Sequence, residues 1–465
     1  MKSSVFKRFI IPLLALGMAA SCPGRTLHDL QQEFVDLKFG LFVHFGMGTY
    51  LDSDWADPEA PLSLFNPEGL DCRQWVDAAR SANMNFICAS VKHHNGFCLW
   101  DSETTVYNAA RSAAGRDVVR ELTDALREKG MKVMFHFSIL DLHEKILPGK
   151  IEPYHTDFIK NQLRELLTNY GPVTALMIDG WDAPWSRISY EDISFDEIYR
   201  FCKSIQPECL VMDLNGAKYP AEGLFYSDIK TYEQGAGQRI EKDSSFLPSM
   251  ACYPIQDTWF WKTWFPEKET KNPAAMVNDN LVPMNQAGCT FILNVAPNRD
   301  GLLDDNALAS LKKIGSMWNG KGKSVKVAET GAPLTASNLA KGCHATGSWS
   351  YDMYIHDLVT DDDFDSPWIS NKEVSRPWLA VELGRTQPVN AVVITGVKDK
   401  RLYRYSIECR VNGSWEVVFD GVAPTDRRVK VHRFNRRYAD AVRLNIKEAD
   451  TEIGIAEFGV YNEIL

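Results

Sequence analysis

Residues 171–184 read GPVTALMIDGWDAP. Residues 174–178 form a short apolar run, and Asp179-Gly180 ends it. Such a run reads as a buried strand of a parallel sheet. A carboxylate at the carboxyl end of that strand, followed by Gly and Trp, stands where α/β barrels carry their catalytic groups. The same Asp-Gly pair also suits a turn or the cap of a following helix. The flanking chain decides between these readings.

Upstream, residues 27–37 have helical periodicity and residues 40–45 read as a strand with His44 near its end. Asp71 caps a helix over 72–82. A strand over 86–91 runs into Lys92-His93-His94-Asn95-Gly96-Phe97. An amphipathic helix over 117–129 precedes a strand over 132–137, with His136, Ser138 and His143 at and beyond its end. Residues 157–169 are helical and lead to the Asp179 strand. Downstream come a helix over 195–205, a strand over 210–214, and a short strand over 225–229 that leads into Lys230-Thr231-Tyr232-Glu233-Gln234. A strand over 289–296 and a helix over 307–320 close the series. Strands repeatedly followed by helices over about 300 residues are the mark of parallel β/α architecture. The expected fold is α/β, a (β/α)8-like barrel over residues 27–325. Its strand ends would gather His44, His93, His94, Asp179 and Glu233 at one mouth.

From about residue 321 helical periodicity stops. Short strands are expected over 378–383, 389–395, 402–411, 414–419, 429–434 and 441–446. They describe an all-β sandwich over 334–465, joined to the barrel near Gly331 and Pro333. Asp361-Asp362-Asp363 reads as a solvated loop rather than a metal site.

The 465 residues are 45% apolar and 24% charged, as in globular domains. A net charge of −10 argues against nucleic acid as a partner, since nothing would neutralise phosphates. Thirteen Trp and sixteen Tyr are many, and aromatic faces suit both cores and sugar rings. Residues 1–21, with Lys2, Lys7 and Arg8 before an apolar run, read as an export signal. Ala19-Ala20-Ser21-Cys22 resembles a lipoprotein box, with Ala where Leu is usual, so Cys22 is expected to carry lipid, with plain secretion as the alternative. The expected location is the periplasm or cell surface, held to the outer membrane through that lipid alone. The other nine Cys fit neither a zinc motif nor a disulfide scaffold and read as buried thiols, though Cys202 and Cys209 lie close enough in sequence to bridge.

Two carboxylates at a barrel mouth point to glycoside hydrolysis. A retaining enzyme needs them ~5 Å apart, one as nucleophile and one as acid/base. The nucleophile must stay ionised among donors, and the acid must keep its proton through burial or a neighbouring charge. Glu233 follows Tyr232 and precedes the aromatic run Trp259-Phe260-Trp261. A competing reading makes His44, His93, His94 and Asp179 metal ligands. Against it, adjacent His93 and His94 point in different directions on an extended backbone.

The ordered segments KFGLFVHFGMGTY, FNPEGLDCRQWVDAARSANMNF, KHHNGFCLWDSETTVYN, GRDVVRELTDALREKGMKVMFHFS, GPVTALMIDGW and CTFILNVAPNRDGLL resemble the α-L-fucosidases of glycoside hydrolase family 29. The resemblance covers residues 30–320. It implies a retaining exo-glycosidase acting on fucosylated glycans, with no cofactor and no metal. It implies Asp179 as nucleophile and Glu233 as acid/base, with Glu222 as the fallback. It implies that His44, His93 and His94 bind the sugar, that Trp55 follows an acidic residue (here Asp54), and that Trp259 or Trp261 lines the pocket. Three positions depart from the family pattern: Met177 in place of Trp, Leu214 in place of Arg, and His136-Phe137-Ser138 in place of Tyr-Tyr-Ser. These departures leave open an α-L-galactosidase or a catalytically inactive glycan-binding surface protein. LTASNLAKG, SPWIS, RPWLAVELG, IECR and AVRLNI resemble the discoidin (F5/8 type C) sandwich. That resemblance implies a possible glycan ligand, with Trp349, Trp368 and Trp378 as contacts, although Trp378 ahead of a strand also reads as core.

Overall fold

The computed structural model describes residues 24–183, 185–234, 238, 247–320, 322, 324–450 and 452–464. The export signal and Cys22 lie outside the described residues. An eight-stranded parallel sheet forms first: β1 (Phe39–Val43), β2 (Phe86–Lys92), β3 (Lys132–Ser138), β4 (Ala175–Asp179), β5 (Leu210–Asp213), β6 (Lys230–Glu233), β7 (Ser249–Pro254) and β8 (Cys289–Asn294). Their spatial order is β5-β4-β3-β2-β1-β8-β7-β6, so β1 pairs with β8 and the sheet curls into a nearly closed barrel. The (β/α)8-like expectation is met.

Side-chain sorting explains the curl. Inward positions pack as Phe42, Phe86, Cys88, Met134, Met177, Met212, Met250 and Ile292. Alternate positions, among them Leu41, Ile87, Phe135, Leu176 and Phe291, face the outer helices. Those helices begin at residues whose side chains cap them: Thr26 before Leu27–Leu37, Asp71 before Cys72–Ser81, Asp117 before Val118–Glu128 and Ser194 before Phe195–Ile205.

One seam lacks a ladder, between β5 and β6. There a short turn, Gly216–Lys218, takes the place of the α-helix. Side chains close it instead. Asp228 accepts from Val211 N–H at 2.9 Å while its own N–H donates to Val211 O at 2.9 Å. Thr231 Oγ1 donates to Asp213 O at 2.5 Å. Asp228 is fully buried and paired with Lys203 at 2.7 Å, with Tyr199 donating to its other oxygen at 2.8 Å.

Two expectations fail here. Residues 225–229 are not a strand, because Phe225 bridges to Leu334 and the strand proper starts at Lys230. Strand β7 was not foreseen: Ser249–Pro254 has no β-branched residue to mark it.

The second domain is an antiparallel sheet of seven strands: β9 (Ala345–Gly347), β10 (Trp368–Ile369), β11 (Trp378–Gly396), β12 (Leu402–Val411), β13 (Ser414–Val422), β14 (Val429–Ala449) and β15 (Gly454–Tyr461). What reads as four strands in the sequence is two long bent ones. Strands β11 and β14 each run through register shifts, at Glu382/Gln387 and Val389/Ala391 of β11, which fold the sheet over its own core. Trp368 is fully buried in that core, so it contacts no ligand. Trp378 is 37% exposed, against the expectation that it is core.

The two domains share one apolar interior. Leu334, Ala336, Ala391, Val393, Val429 and Tyr461 of the second domain continue the barrel's outer core. All nine cysteines from Cys72 to Cys409 are free thiols, so Cys202 and Cys209 do not bridge, and eight of the nine are buried.

Candidate active site

A cavity of about 270 Å3 opens at the carboxyl ends of the barrel strands. Its walls include His44, Trp55, His93, His94, Asp179, Glu233 and Trp259. These come from six separate segments, which meet because the strands run parallel. Trp261 is not among them. Its indole donates to Asp304 at 2.7 Å, and the ring packs with Phe265 and Ala296, away from the cavity. Glu222 is half-buried and also outside the lining.

His93 and His94 both reach the cavity, contrary to the extended-chain argument. The chain leaves β2 at Lys92 and turns, with Gly96 N–H closing on His93 O at 3.0 Å. Gly96 holds φ +92°, and a Cβ there would fall 2.3 Å from Asp141 Oδ1, so the turn requires glycine. Beneath it, fully buried Lys92 pairs with Asp141 at 3.0 Å and donates to Gln162 at 2.8 Å.

Asp179 ends β4 beside one amide donor and two imidazoles. Asn215 Nδ2 donates to Oδ1 at 3.0 Å, and the Nε2 atoms of His136 and His94 stand 3.4 Å from Oδ2. Burial by itself would raise its pKa, but His94, His136 and Asn215 outweigh burial and hold the carboxyl well below the usual range. It is the ionised acid.

The histidine roles follow from their outer nitrogens. Asn294 Nδ2 donates to Trp259 O at 2.8 Å, so its Oδ1 accepts from His44 Nδ1–H at 2.7 Å. That leaves His44 Nε2 with a lone pair able to accept from a ligand hydroxyl. Ser138 Oγ donates to Leu140 O at 2.7 Å and so accepts from His94 Nδ1–H, also at 2.7 Å. His94 Nε2 therefore carries a proton toward Asp179 only as the imidazolium. Burial, with neighbouring imidazoles, lowers the pKa of His44 and His93; burial also lowers that of His94, against the pull of Asp179.

Glu233 behaves oppositely. Burial, and then the charge of Asp179, push its pKa up to about 8, against a hydrogen bond from Trp259. Its Oε2 is buried with no partner among the described residues. An unpartnered buried oxygen on a protonated carboxyl is a donor waiting for an acceptor. The cavity thus holds one carboxylate and one carboxylic acid, driven apart by environment.

The apolar walls are Phe42, Leu214, Cys252, Trp259, Trp55 and Trp185. Trp55 is 48% exposed and stacks on His94, with ring centroids 4.9 Å apart. The preceding Asp54 accepts from Lys262 at 2.8 Å and from the backbone of Trp259 and Phe260, which ties the two aromatic loops together. Three contributors escape sequence reading: Trp185, Asn215, and His136 as a partner of Asp179. Trp185 follows Asp179 by six residues in a loop with no periodicity. Of the three departures from the family pattern, Leu214 and His136 line the cavity, whereas Met177 lies in the barrel interior outside its lining. Among the described residues, no group of three or more His, Cys, Asp or Glu is arranged to hold a metal ion.

The chain matches the α-L-fucosidase family over residues 23–323 and the F5/8 type C domain over residues 336–458. It is 26% identical over 469 residues to alpha-L-fucosidase 1 of Arabidopsis thaliana, covering 95% of this chain and 88% of that protein. The crystal structure of SpGH29 superposes with a TM-score of 0.53 at 20% identity, covering 94% of this chain and 98% of the other. Alpha-L-fucosidase AlfC of Lactobacillus casei, in complex with its alpha-L-fucose product, gives a TM-score of 0.52 at 21% identity and covers 62% of this chain and 98% of its own. With the family match spanning the whole barrel and its cavity, the chain belongs to the α-L-fucosidase family of glycosidases.

Proposed function

We propose that the protein is an exo-acting, retaining α-L-fucosidase that removes terminal fucose from glycans. The observation that carries this reading is the split between ionised Asp179 and protonated Glu233 on one small cavity. Asp179 attacks the anomeric carbon and forms a covalent glycosyl-enzyme. Glu233 gives its proton to the departing glycosidic oxygen, then takes one from the water that releases the sugar. His44, His93 and His94 bind the ring hydroxyls, and the aromatic wall takes the apolar face and methyl group of the deoxy-sugar. A cavity of about 270 Å3 supports occupancy by a single terminal sugar.

The fallback acid Glu222, outside the cavity lining, has less support than Glu233. Trp349, which is 64% exposed, and Trp378 lie together on the sandwich, joined through Ser348, whose N–H donates to Trp378 O at 2.9 Å. They support a glycan ligand for that domain. The composition of residues 1–22 supports export with a lipid anchor at Cys22.

The test is turnover of 4-nitrophenyl α-L-fucoside beside the α-L-galactoside. The expected result is preference for the fucoside, with Asp179→Ala losing several powers of ten and Glu233→Ala partly rescued by azide. Unchanged turnover by Asp179→Ala rejects the assignment. Preference for the galactoside, or no turnover of either, selects the alternative functions.

A further inference from the structure

The nucleophile strand β4 and the next strand β5 each end in a rim loop, and both loops are held from the second domain. In the first loop Asp182 pairs with Lys218 of the second. Lys218 also pairs with Asp362 of the sandwich at 2.9 Å, and Lys341 reinforces Asp362 at 3.1 Å. Tyr190, beyond the first loop, donates to Asp213 Oδ2 at 2.5 Å, while sandwich residue Ser337 donates to the Tyr190 carbonyl at 3.2 Å. The main chain is fastened too: Tyr226 N–H donates to Leu334 O at 2.7 Å and Leu334 N–H to Leu224 O at 2.9 Å.

These ties converge behind Asp179. The other oxygen of Asp213 accepts from Asn215 N–H at 2.9 Å, which fixes Asn215 two residues past the strand end. The Asn215 amide is then the group that donates to Asp179 Oδ1 at 3.0 Å. It lies in the same short loop as Lys218, three residues away, with only the Gly216–Lys218 turn between.

We propose that the sandwich domain orients the nucleophile: an Asp362–Lys218–Asp182 latch clamps the two rim loops together so that Asn215 holds Asp179, making Asn215 and Lys218 positioning residues for the displacement. This rests on the fucosidase reading above. It gives the second domain a part in catalysis that does not depend on its binding any glycan. A misplaced nucleophile slows the covalent step and leaves sugar binding by the histidines largely intact, so the loss belongs in kcat rather than KM.

The experiment is a double-mutant cycle of Lys218→Met and Asn215→Ala, assayed on an aryl fucoside, with melting curves for each variant. Each single variant is expected to lower kcat about tenfold and to leave KM within about twofold. The double variant should be no slower than Asn215→Ala alone, because the latch acts through that residue. Lys218→Arg should restore most of the rate, a recovery that loss of folding would not show. If Lys218→Met does not melt cooperatively, Asp362→Asn replaces it in the cycle. A kcat unchanged in Lys218→Met, or losses that multiply in the double variant, overturns the proposal. Should the parent itself turn over no fucoside, the fucosidase reading fails separately. The latch is then judged by a crystal structure of the Lys218 variant, where an Asn215–Asp179 contact retained at 3.0 Å overturns it.

Discussion

At the scale of single residues, the contrast between Asp179 and Glu233 governs how the protein responds to pH. On the proposed mechanism, activity requires Asp179 without its proton and Glu233 with it. The alkaline limb of kcat/KM is therefore expected near pH 8, where Glu233 ionises, and the acid limb below the ordinary carboxylate range. The same shift affects stability. Native Glu233 keeps its proton up to about 8, whereas the unfolded chain releases it near the ordinary 4.5. Stability is thus fully present below 4.5 and falls as pH rises between those values. Glu233→Gln removes this penalty. Its melting temperature should exceed the parent's by a few degrees above pH 8 and match it near pH 4.5. An equal difference at both pH values would count against a buried, proton-holding Glu233. Asp179 was legible in the sequence because it ends an apolar strand, and a strand end of a parallel barrel has only one place to be. Glu233 is singled out through the family resemblance, because its own strand reads as 225–229 instead of Lys230–Glu233. Asn215 and Trp185 were not legible, because loop residues carry no register, and the carboxylate that Asn215 meets ends another strand.

At the scale of elements, the weak point is the β5–β6 seam. Here a buried carboxylate does the work of a ladder. Asp228 receives Val211 N–H, Tyr199 Oη and Lys203 Nζ, and its backbone carbonyl accepts from Gln31 at 2.8 Å, which also draws in the first helix. Asp228→Ala leaves the Val211 N–H without its acceptor and the Lys203 charge without its carboxylate, with the Cys209 carbonyl at 2.6 Å as its remaining acceptor. The expected cost is about 3–5 kcal/mol of stability by chemical denaturation; a cost below about 1 kcal/mol would mean the seam is held by packing alone. The same seam explains where sequence reading of the elements slipped. Residues 225–229 have the apolar content of a strand, yet they are drawn outward to meet Leu334, and pairing starts only at Lys230. In the second domain, the interruption at Gly384–Gln387 reads as a turn between two strands. In space it is a bulged corner of one strand, because the ladder to β14 resumes beyond it.

At the scale of the whole molecule, the boundary between the domains is chemically a core rather than a hinge. Tyr190 stacks on Tyr226 at 3.8 Å, Tyr219 stacks on Phe225 at 5.1 Å, and both Tyr219 and Phe225 pack against Phe364 of the sandwich. Tyr461 from the last strand and Val429 join the same cluster. The sequence places the domain boundary near Gly331 and Pro333 but says nothing of this, since aromatic side chains in a loop look alike whether they face solvent or a second domain. Cutting the chain at Gly331 would strip cover from Tyr219, Phe225 and Tyr226, each ring leaving ~2 kcal/mol of apolar burial unrealised. It would also leave Lys218 and Asp182 without their third partner, Asp362. The barrel expressed as residues 24–331 is therefore expected to aggregate or to melt many degrees below the full chain, as read by size-exclusion chromatography and thermal unfolding. A truncated barrel that stayed monomeric and melted with the parent would show that the aromatic cluster does not depend on the sandwich. A boundary of this kind makes the sandwich part of the catalytic domain's own fold, so insertions are better tolerated at exposed loops of β12–β13 than anywhere along residues 216–226.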